Sequence, residues 1–172
     1  KAKQAGLKLL AVDDRFVRAD GSSMEEVHYL GISARKIGQN VGKELWQEMQ
    51  KRKWNTDDAA ACVVSYNELD TARERTEGIM EALVAEGFPK AKIYSAAVKT
   101  TDVPGSFDAT SVLLTQKAGV KRWLIGGMND SAVLGAVRAM EGRGFNAETA
   151  IGVGINGTDC LPEFEKKTPT AF

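Results

Sequence analysis

The sequence predicts an α/β fold, a doubly wound parallel sheet sandwiched by helices. Two observations predict it. From Ser33 onward, stretches with apolar residues at helical spacing alternate four times with short apolar runs. The joins between them are short and rich in Gly, Pro, Asn and Asp, the residues that make turns and end helices. The segment before Ser33 breaks this rhythm and reads as a strip belonging to a neighbouring lobe.

The elements follow in order. Residues 1–6 read as the last turn of a helix, basic and then stopped by Gly6. Lys8 to Val12 reads as a buried parallel strand running into Asp13-Asp14. Asp20-Gly21 marks a turn in a polar loop, and Val27 to Ile32 is extended. Ala34, Ile37, Val41, Leu45 and Met49 predict an amphipathic helix over Ser33 to Lys53, with Ser33 at the N-cap. Ala59 to Tyr66 is a buried strand. Ala72, Thr76, Ile79 and Leu83 mark a helix stopped by Gly87 with Pro89 behind it. Lys92 to Val98 is a strand, Pro104-Gly105 a turn, and Ser106 to Ala118 a helix with Ala109, Val112 and Leu113 inward. Arg122 to Gly126 is a strand, and Asp130 or Ser131 caps a helix ending at Gly144. Thr149 to Ile155 is a strand, Leu161 to Lys167 a last helix, and residues 168–172 open a further strand.

Composition narrows the function. The 172 residues fit one compact domain, or one and a piece of another. Hydrophobic residues are 43% and charged residues 27%, enough for an ordinary core. Lys+Arg and Asp+Glu are both 23, so charge makes no case for nucleic acid or an anionic membrane as partner. Apolar runs fall well short of the ~20 residues a membrane-spanning helix needs. The chain begins at Lys1-Ala2-Lys3-Gln4 with no signal-peptide pattern, which fits a leader removed or left out. Cys62 reads as buried apolar filler, and two cysteines this far apart do not make a disulfide framework.

Polar residues gather after the strands. Asp13-Asp14, Asn67 to Thr71, Lys99 to Asp102, Gly127 to Asp130 and Asn156 to Asp159 each follow a strand's C-terminal end. In a parallel sheet those ends share one edge, where α/β folds bind ligands. Adjacent carboxylates need a metal, an arginine or a hydroxyl-rich ligand to offset their repulsion. Carboxylates accept hydrogen bonds, guanidiniums donate them and carboxamides do both, which together suits sugar hydroxyls. Arg73 and Arg75 lie two residues apart, so at most one faces the cleft. Plainer roles exist for each: helix caps for Asp70 and Asp130, turns for Asn129 and Asn156, a solvated helix face for the arginines.

Other chemistries find less support. His28 stands alone and reads as a surface residue, with no spaced set of metal ligands. No nucleophile elbow, cysteine–histidine pair or phosphate loop appears, so neither an enzyme nor a cofactor is expected. A phosphoacceptor receiver domain would share the early acid pair, but it needs a further aspartate ending a later strand. Here those strands end in Tyr66-Asn67, Val98-Lys99, Met128-Asn129 and Asn156.

Taken together, AVDDRFV (11–17), NELDTARERT (67–76), GGMNDSAVLGAVRAMEGRGF (126–145) and IGVGINGTD (151–159) resemble the L-arabinose-binding family of periplasmic sugar-binding proteins of bacterial ABC importers. KIGQNVGKELWQEMQKRKW (36–54), EGFPKAKIY (86–94) and DVPGSFDA (102–109) extend the likeness along nearly the whole chain. The resemblance implies two α/β lobes joined by crossing strands, with the sugar between them. Residues 1–32 would be the end of the first lobe and a hinge crossing, 33–167 the second lobe, and 168–172 the start of the return crossing. The chain would then be about half of such a protein. The resemblance implies sugar contacts at Asp13, Asp14, Arg75, Asn129 and Asn156, with Leu69, Thr71 and Met128 nearby. Asp159 would stand behind Arg75 and orient it. Ile32 departs from the methionine familiar at this hinge position, which bears on pentose-versus-hexose preference. The implied ligand is L-arabinose or a relative such as D-galactose or D-fucose. The implied partner is an inner-membrane ABC permease, and the implied location the periplasm. The sugar-sensing core of a LacI-type repressor shares the plan and is the alternative.

Overall fold

The computed structural model describes residues 2, 4–166 and 171. Its elements are β1 (Leu10–Val12), β2 (His28–Leu30), α1 (Ala34–Lys51), β3 (Ala59–Ser65), α2 (Asp70–Ala85), β4 (Ile93–Ala97), α3 (Val103–Gln116), β5 (Arg122–Gly127), α4 (Asp130–Glu141), β6 (Ala150–Val153) and α5 (Leu161–Phe164). The expected α/β fold forms. Strands β3 to β6 make one parallel sheet in the order β4-β3-β5-β6.

The central strand shows why the sheet takes helices on both faces. Every residue of β3 is buried, and successive side chains of a strand point to opposite faces. Ala59, Ala61 and Val63 pack with Val41, Leu45 and Met49 of α1 and Ile79 and Leu83 of α2. Ala60, Cys62 and Val64 pack with Leu113 and Leu114 of α3 and Val133, Val137 and Met140 of α4. A strand sandwiched this way reads as a continuous apolar run.

Close approach of α1 to α2 fixes the turn of α2 that carries Arg75. A Cβ at Gly38 would overlap the Arg75 carbonyl, and one at Gly78 would overlap the Arg35 carbonyl. The helices therefore meet backbone to backbone. Arg35 adds ion pairs to Glu77 and Glu81 on the outer side.

Several local expectations need correction. Strand β1 is not buried: Leu10 and Val12 are 56% and 64% exposed, and only Ala11 is inside. Strands β1 and β2 form a separate two-stranded parallel sheet, and the face that carries Leu10 and Val12 has no layer over it among the described residues. Ser33 takes the N-cap position of α1 without a side-chain cap bond. Pro104-Gly105 is the first turn of α3, not a turn before it; the Asp102 carboxylate caps that helix by accepting from the Gly105 N–H. Proline is compatible with a helix's first turn because its missing N–H has no partner there anyway. Val112 faces solvent at 58% exposure, while Ser106, Thr110, Leu113 and Leu114 point inward. Asp70 is the first residue of α2 rather than its cap. Helix α5 is described over Leu161–Phe164 only. Of the strand expected over 168–172, all but Ala171 lies outside the described residues; the Ala171 carbonyl accepts from the Gly152 N–H.

Two outcomes follow. Gly38→Ala forces a methyl against a backbone carbonyl, so it should lower stability by ~1–3 kcal/mol in urea unfolding; an unchanged midpoint would contradict this packing. Burial pushes the Cys62 thiol from 9.0 up to about 12. The neutral thiol is thus favoured in the folded state. Its stabilisation is complete below pH 9.0 and is lost as pH rises toward 12. The parent should lose stability faster than Cys62→Ala across that alkaline range, and equal slopes would refute the burial effect.

Candidate functional site

The chain leaves β3 for α2 on one face of the sheet and leaves β5 for α4 on the other. Between the carboxyl ends of these neighbouring strands the loops part, and such a switch point is where open α/β sheets hold ligands. Arg75 spans it. Its Nη1 donates to the Met128 carbonyl at the end of β5, 2.9 Å away. Its Nε is buried with no hydrogen-bond partner among the described residues, and an unmet buried donor costs ~1–3 kcal/mol.

Helical spacing sorts the two arginines. Thr71 and Arg75 are four residues apart and share a face of α2. The Thr71 hydroxyl donates to Asp14 Oδ1 at 2.7 Å. One stripe of α2 therefore touches both the loop after β1 and the loop after β5. Arg73 points elsewhere, donating to the Asn67 carbonyl at 3.2 Å and pairing with Asp70. Arg73 does line a cavity of ≈ 220 Å³ beside Asp14, together with Arg15, Glu68 and Leu69. A larger cavity, ≈ 540 Å³, lies away from the polar loops on the flank of α2, between Met80, Val84 and Ile93.

Asn129 caps α4, which corrects the expectation of Asp130 or Ser131. Its Oδ1 accepts from the Ala132 N–H at 2.8 Å. Its Nδ2 makes a long bond, 3.3 Å, to the Thr101 carbonyl. With the acceptor committed to the helix, the N–H donors are what this side chain can offer a ligand.

Sequence reasoning gave Asp130 the role of a helix cap and missed the one it has. This carboxylate is 1% exposed. Its Oδ2 accepts from the Thr158 and Asp159 N–H groups at 2.8 and 3.2 Å. Alongside it, Ser131 Oγ donates to Asp159 Oδ2 at 2.5 Å. The first turn of α4 thus holds the Asn156–Asp159 loop. An aspartate opening a helix reads locally as a dipole partner, and nothing in the sequence shows a loop 28 residues on coming back to it.

The remaining positions divide by exposure. Asn156 is exposed and left-handed at φ 105, with Gly157 beside it at φ 76. Asp13 is exposed and also left-handed, φ 69. Non-glycine residues seldom adopt this region, and those that do cluster at functional sites. The Met128 side chain is 2% exposed within the core, so that residue presents its carbonyl. Leu69 and Ile32 are 39% and 43% exposed. The Asp159 carboxylate is bonded to Ser131, while the Arg75 guanidinium is oriented by Met128. No group of three or more His, Cys, Asp or Glu side chains arranged to hold a metal occurs among the described residues.

The family model described as periplasmic binding proteins and sugar-binding domain of LacI family matches residues 1–172. The chain belongs to this family. The L-arabinose-binding periplasmic protein of Escherichia coli (strain K12) is 51% identical over 172 residues. The ABC transporter L-arabinose-binding periplasmic protein of Azospirillum brasilense is 42% identical over 173. Each match covers all of this chain and 52% of the relative, so the chain spans about half the length of these curated relatives. An ABC transporter solute-binding protein from Burkholderia multivorans superposes at TM-score 0.72 with 22% identity, over 94% of this chain and 53% of that one. A LacI family transcriptional regulator from Enterococcus faecium with bound ribose superposes at 0.67 with 18% identity, over 94% and 54%. At these identities the two structures confirm the periplasmic-binding-protein fold alone.

Removing the Asp130 carboxylate should release the Asn156–Asp159 loop. Asp130→Ala is expected to speed amide exchange at Thr158 and Asp159 and to cost ~1–3 kcal/mol of stability. Unchanged exchange would show the loop is held by other means.

Proposed function

We propose that this chain supplies most of the second lobe of a periplasmic sugar-binding protein. In this reading residues 33–167 are that lobe, residues 1–32 the end of the first lobe with its crossing, and 168–172 the start of the return crossing. The ligand is a neutral monosaccharide, L-arabinose foremost, with D-galactose and D-fucose as close relatives. It is held between the lobes in the periplasm and delivered to an inner-membrane ABC permease, with binding and no chemical step.

The observation that carries the reading is Arg75 at the switch point. The Met128 carbonyl fixes one arm of the guanidinium, and α2 sets it one turn from Thr71 and the Asp14 carboxylate. A fixed donor near a paired acid, with Asn129 and Asn156 on the adjoining loops, meets a polyol's mixed donors and acceptors. Closure of two lobes would exclude water and strengthen each charge-assisted hydrogen bond. Asp13 and Asp14 accept from sugar hydroxyls in this account, Leu69 and Ile32 supply apolar contact, and Ile32 bears on pentose-versus-hexose preference. The names of the relatives at 51% and 42% identity support transport over the repressor reading.

Titration calorimetry of the full-length protein with L-arabinose tests this. Arg75→Ala should weaken binding by ~2–5 kcal/mol, because the sugar enclosed between the lobes loses its charged donor. Arg75→Lys should recover part of the loss, since an ammonium donates but lacks the planar fork. Equal affinities for parent and Arg75→Ala would sink the assignment.

A further inference from the structure

Tyr29 lies outside every contact so far assigned to the ligand. It sits in β2, opposite Ala11 in the register with β1. Its phenol donates to the Asp13 carbonyl at 2.8 Å. The ring lies over Gly31, where any Cβ would overlap the phenol oxygen and ring carbons. Gly31 lies just past the end of β2, two residues after Tyr29, and glycine there leaves the space the ring occupies. The Arg15 guanidinium covers the ring at 4.0 Å from its centroid, a cation–π contact.

What this assembly grips is a strained turn. The Asp14 N–H donates to the Val12 carbonyl at 2.9 Å, closing a three-residue turn centred on Asp13 at φ 69. A γ-turn with positive φ at its centre is the rare, strained form. Left-handed backbone at a non-glycine residue persists only where its surroundings over-determine it. Here both remaining backbone groups of Asp13 are tied, its N–H to the Leu30 carbonyl at 3.0 Å and its carbonyl to the Tyr29 phenol. The turn in turn sets the direction of Asp14, whose carboxylate meets Thr71.

We propose that Tyr29, seated on Gly31, is a positioning residue that holds the Asp13–Asp14 turn in the geometry the ligand requires. This rests on the monosaccharide reading of the site. Tyr29 touches no ligand itself. It fixes the acid pair before binding, so its loss shows in how long the sugar stays rather than in whether the protein folds.

The test compares full-length parent, Tyr29→Phe and Gly31→Ala. In the sugar-free protein, Tyr29→Phe should speed NMR amide exchange at Asp14 by ~3–10-fold, the worth of one net hydrogen bond. With L-arabinose, stopped-flow should show dissociation faster by a similar factor and association unchanged, the usual pattern for a local contact change. The sugar-free melting temperature should stay within about 2 °C of the parent, because Tyr29→Phe keeps the ring and removes a single hydrogen bond. Gly31→Ala should act in the same direction by displacing the ring, and should have no further effect once Tyr29→Ala has removed it. Parent-like exchange at Asp14 in Tyr29→Phe overturns the proposal. Faster exchange with an unchanged dissociation rate also overturns it, leaving a structural role only. If the parent itself fails to bind the sugar, the functional reading falls, and the exchange measurement alone decides the clamp.

Discussion

The hydrogen bond from Arg75 to the Met128 carbonyl ties together the two strands that define this fold. Strands β3 and β5 are neighbours at the centre of the sheet, but their chains leave toward opposite faces. The crevice this creates is a product of topology. A guanidinium laid across it and fixed to a carbonyl keeps a cation at the mouth of the sheet. Everything that positions that side chain follows from packing. Gly38 and Gly78 let α1 and α2 meet along their backbones, and Ile79 and Leu83 anchor α2 to the sheet. Thr71, on the same stripe, then reaches Asp14.

The loops around the crevice are held by polar groups spent on structure. Asn129 gives its acceptor to the cap of α4, Asp130 gives its carboxylate to the backbone of residues 158 and 159, and Ser131 binds Asp159. These commitments leave chemistry of one kind at each position. Asn129 presents donors, while Met128 presents a carbonyl already engaged by Arg75. The acid pair stands apart on its own small sheet, with one member left-handed and the other bonded to Thr71. Such pre-set groups suit selective binding of a polar ligand because little ordering remains when it arrives.

Much of the fold was legible because its signals are periodic. Ala72, Thr76, Ile79 and Leu83 were expected inward on α2, and all are buried. The unbroken apolar run of β3 announced a strand covered on both faces. Legibility failed where the deciding partner is distant or absent from the local pattern. Leu10 and Val12 are as apolar as a core strand, yet they are exposed because no layer covers their face of β1 among the described residues. Asn129 caps α4 in place of Asp130 or Ser131, since these residue types all cap helices and only the backbone path decides which one does. In α3 a Pro-Gly pair looked like a turn, but Asp102 in front of it opens a helix. The polar residues of the candidate site were visible as a set at strand ends. Spacing left open which arginine joins it; Arg75 shares the helix face of Thr71, and the contact of Tyr29 with the acid pair depends on a pairing between strands that no local pattern shows.

The most direct measurement is a crystal structure of the full-length protein with L-arabinose. The account predicts a sugar oxygen within hydrogen-bond distance of the Arg75 guanidinium, with the Met128 carbonyl still bound to it and Asp13 or Asp14 accepting from the same sugar. A sugar lodged away from the crevice between β3 and β5, or one held with Arg75 turned out to solvent, would contradict it.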